Sequence, residues 1–416
     1  MVIRREPQQV SGKWFREKRR KCALVALFLF VVAFGLSAWF HFGRPTKFPA
    51  NITKTFYPDR IHLTVSQEEM VMNCINRFID CKVDSALSMR KAYWNRDFSS
   101  LKRYLDSIER YRCDLRDMYR VPEECLTGRI PTLISNTFVQ SLGNVSIHRW
   151  VLEVCDGQLT VVGLVGIPSR VKGPFPLIIA FHGTAGYPER IFGLDGKDDY
   201  HHKFALRLAE QGYMVFSPLT ITQLTQNDQG SYNRRRNEID NRGLSVGVRL
   251  LGIELGQIMS VLNYALTRDD VDASRVAAYG ISLGGFLAFN LGALDPRVKV
   301  VVVSQYFEDM VGKLTGLTYP HSYWRYEDAD YMFFQDFLLR FSTVDIASLI
   351  APRKLFIEVG SQDPRADSAS KSFLEVKAIY DQLKQPPDSV QMEVGDGGHE
   401  VFLKGSLCFL KKWLKS

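Results

Sequence analysis

No internal repeat and no low-complexity stretch runs through the 416 residues, which excludes solenoid, propeller and collagen-like architectures. No glycine-rich nucleotide fingerprint and no P-loop is present, so nothing in the sequence points to a bound nucleotide phosphate. Histidine is scarce, at 8 residues. The one adjacent pair, His201-His202, would point about 100° apart on a helix and suits solvent-side or capping positions better than a shared ion. No metal and no cofactor is expected.

A basic surface for nucleic acid is also missing. The net charge is +8, yet residues 1–22 hold eight basic residues against two acidic ones, and the remainder holds 45 against 43. The body of the protein is therefore nearly neutral, without the stripe that phosphate backbones require. Arg234-Arg235-Arg236 is the other cluster, and it reads as a solvated loop.

Charge is absent altogether from Cys22 to Phe42 (CALVALFLFVVAFGLSAWFHF), a run of the roughly 20 residues that cross a bilayer as a helix. The cationic tail in front of it, with Arg44 and Lys47 behind, sets the N-terminus in the cytoplasm under the positive-inside rule. The competing reading is a cleaved secretory leader with a weak site at Gly35-Leu36-Ser37, but the run exceeds the usual apolar core of about 7–15 residues. The expectation is a single-pass signal anchor. The rest of the chain would then be extracytoplasmic, whether periplasmic, lumenal or extracellular. Seven cysteines fit that location. Cys22 abuts the bilayer, and Cys74, Cys81, Cys113, Cys125, Cys155 and Cys408 form an even set whose pairing the sequence leaves open. Asn51-Ile-Thr53 and Asn144-Val-Ser146 are glycosylation sequons for a eukaryotic source.

Five stretches follow from this reading: a basic tail (1–21), the anchor (22–42), a proline-bearing stalk (43–64), a helical segment packing on the core (65–144) and a catalytic domain (145–416). In the helical segment, Ser66 and Glu69 make a capping box ahead of a first helix. A second is expected from Ser99 to Leu115, with Leu101, Tyr104, Leu105 and Ile108 at helical spacing. Beyond residue 145, apolar strands alternate with helices. Strands are read at 159–167, 176–181, 213–217, 276–281, 298–303, 354–359 and 390–394. Helices are read near 200–211, 254–267, 283–294 and 370–385. Continuous apolar strands separated by helices predict a mostly parallel sheet covered on both faces, with functional groups at the carboxyl ends of the strands.

Gly280-Ile281-Ser282-Leu283-Gly284 sits between a strand and an apolar helix, the setting of a nucleophile elbow. A serine hydroxyl needs a base, and the base needs an acid to orient it. In this arrangement the chain order is serine, acid, histidine. His321 and His399 are the histidines that follow Ser282. His399, in Gly397-Gly398-His399-Glu400 just past the last strand, is the better placed. Asp363 directly follows a strand and is the expected acid, with Asp367 the runner-up; Asp396 is too close to His399 in sequence. Oxyanion donors are expected from the backbone N–H groups of Leu283 and, in the loop His182-Gly183-Thr184-Ala185-Gly186, of Thr184. His182 reads as structural. The polar stretch Pro218–Leu255 is an insertion on the active-site side.

The segments LIIAFHGTAG, LTRDDVDASRVAAYGISLGG, ALDPRVKVVVVS, VDIASLIAPRKLFIEVGSQDP and GDGGHE, in that order, resemble the dienelactone-hydrolase and acetylxylan-esterase-like branch of the α/β hydrolases. WNRDFSSLKRYLDSIERYRCDLRDMY resembles that group's leader segment. The resemblance implies an α/β-hydrolase fold and triad roles for Ser282, Asp363 and His399. It also implies esters of small acyl groups, such as acetyl on a saccharide or cell-envelope glycan. With serine as nucleophile, the cysteine chemistry of dienelactone hydrolases is not expected. Two other readings compete. One is a peptidase related to prolyl oligopeptidase, against which the absence of an upstream propeller argues. The other is a binding protein on a dead hydrolase fold, against which the complete triad argues.

Overall fold

The computed structural model describes residues 65–221, 232–315 and 329–415. Two compact units divide the chain, Met1–Ile79 and Asp80–Ser416. The described part of the first is the opening of helix α1 (Val65–Tyr93). Among the described residues no helix is long and apolar enough to cross a membrane. The expected anchor at 22–42 and the stalk at 43–64 lie outside them, as does His321.

The second unit is built on one nine-stranded sheet, in the order β1-β2-β3-β5-β4-β6-β7-β8-β9. Its central and far strands are β4 (Phe175–Phe181), β5 (Met214–Pro218), β6 (Val271–Ile281), β7 (Val300–Ser304), β8 (Lys354–Gly360) and β9 (Val390–Gly395), and their pairings with one another are all parallel. The first three, β1 (Thr132–Leu142), β2 (Val145–Val154) and β3 (Leu159–Pro168), form an antiparallel meander, and β3 joins β5 antiparallel.

The apolar runs are continuous because each central strand is buried on both faces. In β4, Leu177, Ile179 and Phe181 enter one core, while Ile178 and Ala180 enter the other. Val301 and Val303 of β7 likewise face the first core, and Val300 and Val302 the second. Helices cover both faces: α2 (Leu101–Met118), α3 (Phe204–Glu210), α4 (Tyr232–Leu244), α5 (Leu250–Ala265), α6 (Leu283–Leu294), α7 (Thr343–Ile350), α8 (Ala366–Gln382) and α9 (Lys404–Lys415). This is the α/β-hydrolase fold, with a mostly parallel sheet and flanking helices.

Helix α2 begins where Ser100 caps it, its side chain accepting from the Arg103 N–H at 3.2 Å. Tyr104, Ile108, Tyr111 and Leu115 recur at helical spacing and are fully buried. The Tyr104 hydroxyl donates to the Ser348 carbonyl of α7 at 2.8 Å, and the Tyr119 hydroxyl to Asn290 of α6 at 2.7 Å. The leader thus packs on the hydrolase core. Strand β1 falls inside residues 65–144, read above as helical, so the sheet starts before residue 145. Seven of its eleven residues face solvent, and an edge strand of that kind carries no strong apolar run.

One cysteine pair is bonded among the described residues, Cys125 with Cys155. Cys74, Cys81, Cys113 and Cys408 are free. The bridge ties the turn after α2 to the end of β2 across a separation of 30 residues. By loop-closure entropy, Cys125→Ser should lower stability by about 3–4 kcal/mol. Urea unfolding checks this, and a midpoint equal to that of the unsubstituted protein would contradict it.

Candidate active site

Strand β6 ends at Ile281, helix α6 starts at Leu283, and Ser282 is the single residue between them. Its backbone is forced to φ +57°, ψ −121°, a conformation that side chains disfavour. The Ser282 N–H donates to the Ser304 carbonyl at the end of β7 (2.9 Å), and the Phe286 N–H donates to the Ser282 carbonyl (3.0 Å). The two motif glycines allow so sharp a turn. A Cβ at Gly280 would lie 2.0 Å from the Gly284 carbonyl, and one at Gly284 would lie 2.2 Å from the Phe181 carbonyl. Glycine on both sides of the serine is therefore a steric requirement of the turn.

The acid and histidine loops are sewn together before any side chain is considered. The Ser361 N–H donates to the Gly395 carbonyl (2.8 Å), and the Gln362 N–H to the Gly397 carbonyl (2.9 Å). This brings Asp363, which follows β8, against His399, which follows β9. His399 Nδ1 and Asp363 Oδ2 are 2.9 Å apart. The Asp363 side chain is fully buried, whereas that of His399 is 34% exposed, as suits an orienting acid beneath an accessible base. Burial alone would raise the Asp363 carboxyl. The hydrogen bonds from His399 and Arg365, with the Arg365 charge, overcome that and hold it well below the ordinary carboxylate range. Asp367 lies in the first turn of α8. It lines a cavity of about 570 Å³ beside the acid loop, with Arg90, Asp309, Ser342, Pro364 and Lys371. None of Ser282, Asp363 and His399 lines that cavity.

The glycine loop after β4 is held by His201, which the sequence placed at a solvent-side or capping position, and by Tyr200. The Gly183 N–H donates to His201 Nε2 at 2.9 Å. That bond leaves His201 Nδ1 to donate to Asp199 at 2.8 Å. The Tyr200 hydroxyl donates to the Thr184 carbonyl at 2.6 Å, and its ring lies 5.9 Å from that of His399. Tyr200 thereby links the loop carrying Thr184 to the histidine loop. His201 is fully buried rather than on the solvent side, because it accepts a backbone N–H that would otherwise be unpaired. His202 pairs with Glu400 at 2.6 Å.

His182 is buried between two backbone groups. Thr220 N–H donates to its Nε2 at 3.2 Å, and Nδ1 lies 3.0 Å from the Gly183 carbonyl. Burial pushes its pKa down from 6.5 to about 3. It stays neutral in the fold, while the unfolded chain takes up a proton below pH 6.5. Its contribution is therefore whole above pH 6.5 and falls by about 1.4 kcal/mol per unit below that, levelling near pH 3. Between pH 7 and 5 the protein should lose about 2 kcal/mol that His182→Gln does not lose. Denaturant midpoints at both pH values test this, and parallel pH slopes for the two proteins would refute it.

Gln305 escaped sequence reading, and Arg236 departs from it. Gln305, at the end of β7 with φ +54°, donates from Nε2 to the Glu400 carbonyl (2.7 Å) and accepts the Gly360 N–H (3.1 Å). In the insertion, Arg236 does not lie in a solvated loop. It is 1% exposed and makes a two-pronged pair with Glu254 of α5 at 2.7 and 2.6 Å. Arg234 does face solvent, paired with Glu238. Among the described residues no three His, Cys, Asp or Glu side chains cluster as a metal site.

Residues 104–393 match the model of a family described as the Abhydrolase family. A Bacillus subtilis protein described as a hydrolase, YtaP, is 28% identical over 257 residues, which is 59% of this chain and 81% of that one. A Bacteroides fragilis structure described as an acetyl xylan esterase aligns with TM-score 0.55 and 18% identity, over 74% of this chain and 80% of that one. A glucuronoyl esterase from Caldicellulosiruptor kristjansonii aligns with TM-score 0.51 and 19% identity, over 76% and 87%. At such identities the structural likeness speaks for the fold.

Proposed function

The chain belongs to the Abhydrolase family, and from that premise we propose that it is a serine esterase acting on short-acyl esters of saccharides. The hydrogen bond between buried Asp363 and accessible His399 carries this reading, together with Ser282 raised on its strained turn. His399 takes the Ser282 proton as the hydroxyl attacks the acyl carbonyl. The N–H groups of Leu283 and Thr184 hold the tetrahedral oxyanion. His399 then protonates the leaving alcohol, and water clears the acyl-enzyme by the same steps in reverse. The saccharide is supported by the names of the fold neighbours, an acetyl xylan esterase and a glucuronoyl esterase.

The same proposal sets the enzyme outside the cytoplasm on its N-terminal anchor. The uncharged run after a cationic tail supports this, and so does the Cys125–Cys155 bridge, since disulfides persist in oxidising compartments. The test is turnover by the full chain in detergent of 4-nitrophenyl acetate, acetylated xylan, a glucuronate methyl ester and proline-containing peptides. Release of acetate from the first two is the expected result. Peptide cleavage without ester hydrolysis would favour the peptidase reading and overturn this one.

A further inference from the structure

Asp363 is held almost entirely by one neighbour. A buried carboxylate offers about four lone-pair sites and must fill them. Three of its donors are Arg365 groups: the backbone N–H to Oδ1 (3.0 Å), Nε to Oδ1 (2.7 Å) and Nη2 to Oδ2 (2.7 Å). The fourth is His399 Nδ1, to Oδ2. We propose that Arg365 is a positioning residue of the catalytic centre, clamping the Asp363 carboxylate in the one plane from which Oδ2 can receive and aim the His399 imidazole. This rests on the reading of Ser282, Asp363 and His399 as a triad.

The local chain explains how the clamp forms. Asp363-Pro364-Arg365 is a turn closed by the Ala366 N–H on the Asp363 carbonyl (3.0 Å), directly before α8. The arginine folds back two residues and meets the acid fork to fork, the geometry that fixes a carboxylate plane. Nη2 also stands 2.5 Å from His399 Nδ1. A guanidinium only donates, so a bare Nδ1 facing it would accept its proton and leave the imidazole hydrogen on Nε2. That tautomer cannot act as base toward Ser282. Keeping both Arg365 prongs on the carboxylate leaves Nδ1–H directed at Oδ2 and Nε2 free for the serine. The Arg365–Asp363 pair lies within one turn and meets the histidine loop at His399, so its chief consequence is the aim of the acid.

The experiment compares full-length protein in detergent with Arg365→Ala, Arg365→Lys and Ser282→Ala, using 4-nitrophenyl acetate. Arg365→Ala should lose about 10–100-fold in kcat with KM changed by less than about twofold, as for a small misplacement of a catalytic group. Guanidinium chloride, at concentrations far below those that unfold proteins, should restore part of the loss, and sodium chloride should not. Arg365→Lys should also fall, because a point charge cannot grip both oxygens. It carries the test should the alanine variant fail to fold. A kcat within about twofold of the unsubstituted protein in a folded variant, or a loss of kcat with a matching rise in KM and no rescue by guanidinium, would overturn the proposal. Activity retained in Ser282→Ala would instead remove the triad itself, and this proposal with it, an outcome no Arg365 result can imitate.

Discussion

Ser282→Ala is expected to lower kcat on a short acyl ester by about 10⁶-fold, with little change in thermal stability. In the proposed mechanism the chemistry would pass through the Ser282 oxygen twice, in forming and in losing the acyl group. Alanine leaves the elbow backbone and any oxyanion donors in place, so the residual rate would come from those donors and from binding. His399→Ala should fall by a similar factor, and the double variant should be barely worse than either single one, because residues of a triad would act as a unit. Summed losses in the double variant would mean that the two residues act independently, against the mechanism. Stability should barely change because the strain at Ser282 lies in its backbone, which alanine inherits.

Glu358→Ala is the second large effect, this time on the fold, at about 3–5 kcal/mol. The Glu358 carboxylate lies 1% exposed near the carboxyl end of β8. Its Oε1 accepts from the Ser304 hydroxyl and the Phe402 N–H, each at 2.9 Å, and its Oε2 accepts from the Ser406 hydroxyl at 3.0 Å. The Tyr279 hydroxyl stands 3.3 Å away. One side chain therefore joins β6, β7, the histidine loop and α9. Burial pushes its carboxyl pKa up against the pull of these donors. Alanine would strand several buried polar groups, each of which costs about 1–3 kcal/mol when left unpaired. Glu358→Gln keeps an acceptor for Phe402 and should cost only about 1–2 kcal/mol. Because Phe402 lies three residues past His399, the alanine variant should also lose activity while still folded. A denaturant series with an unchanged midpoint would refute this.

The parts of the fold legible in the sequence are those where one strand decides its own fate. Strands β4, β5, β7 and β8 are largely apolar because both faces are covered, and the elbow and the loops after β4, β8 and β9 stand out as glycine punctuation between the strands. Strand β1 was hidden because it is an edge strand with most side chains in water, and β2 because its burial alternates along its length. Arg236 looks like its exposed neighbours, and its burial is made tolerable by Glu254, 18 residues on, together with the Ile221 carbonyl and the Tyr331 ring. His201, Glu358, Gln305 and Arg365 likewise carry no motif. Each matters through a partner brought near by the sheet or by a tight turn, which spacing alone does not reveal.

The most direct measurement is labelling of the full-length protein in detergent by a fluorophosphonate probe, beside Ser282→Ala and His399→Ala. One label per chain is expected, mapped to Ser282 by peptide mass, and no label in either variant. A folded protein that takes no label, or takes it on another residue, would contradict a serine esterase centred on Ser282 and leave the fold as a scaffold for binding.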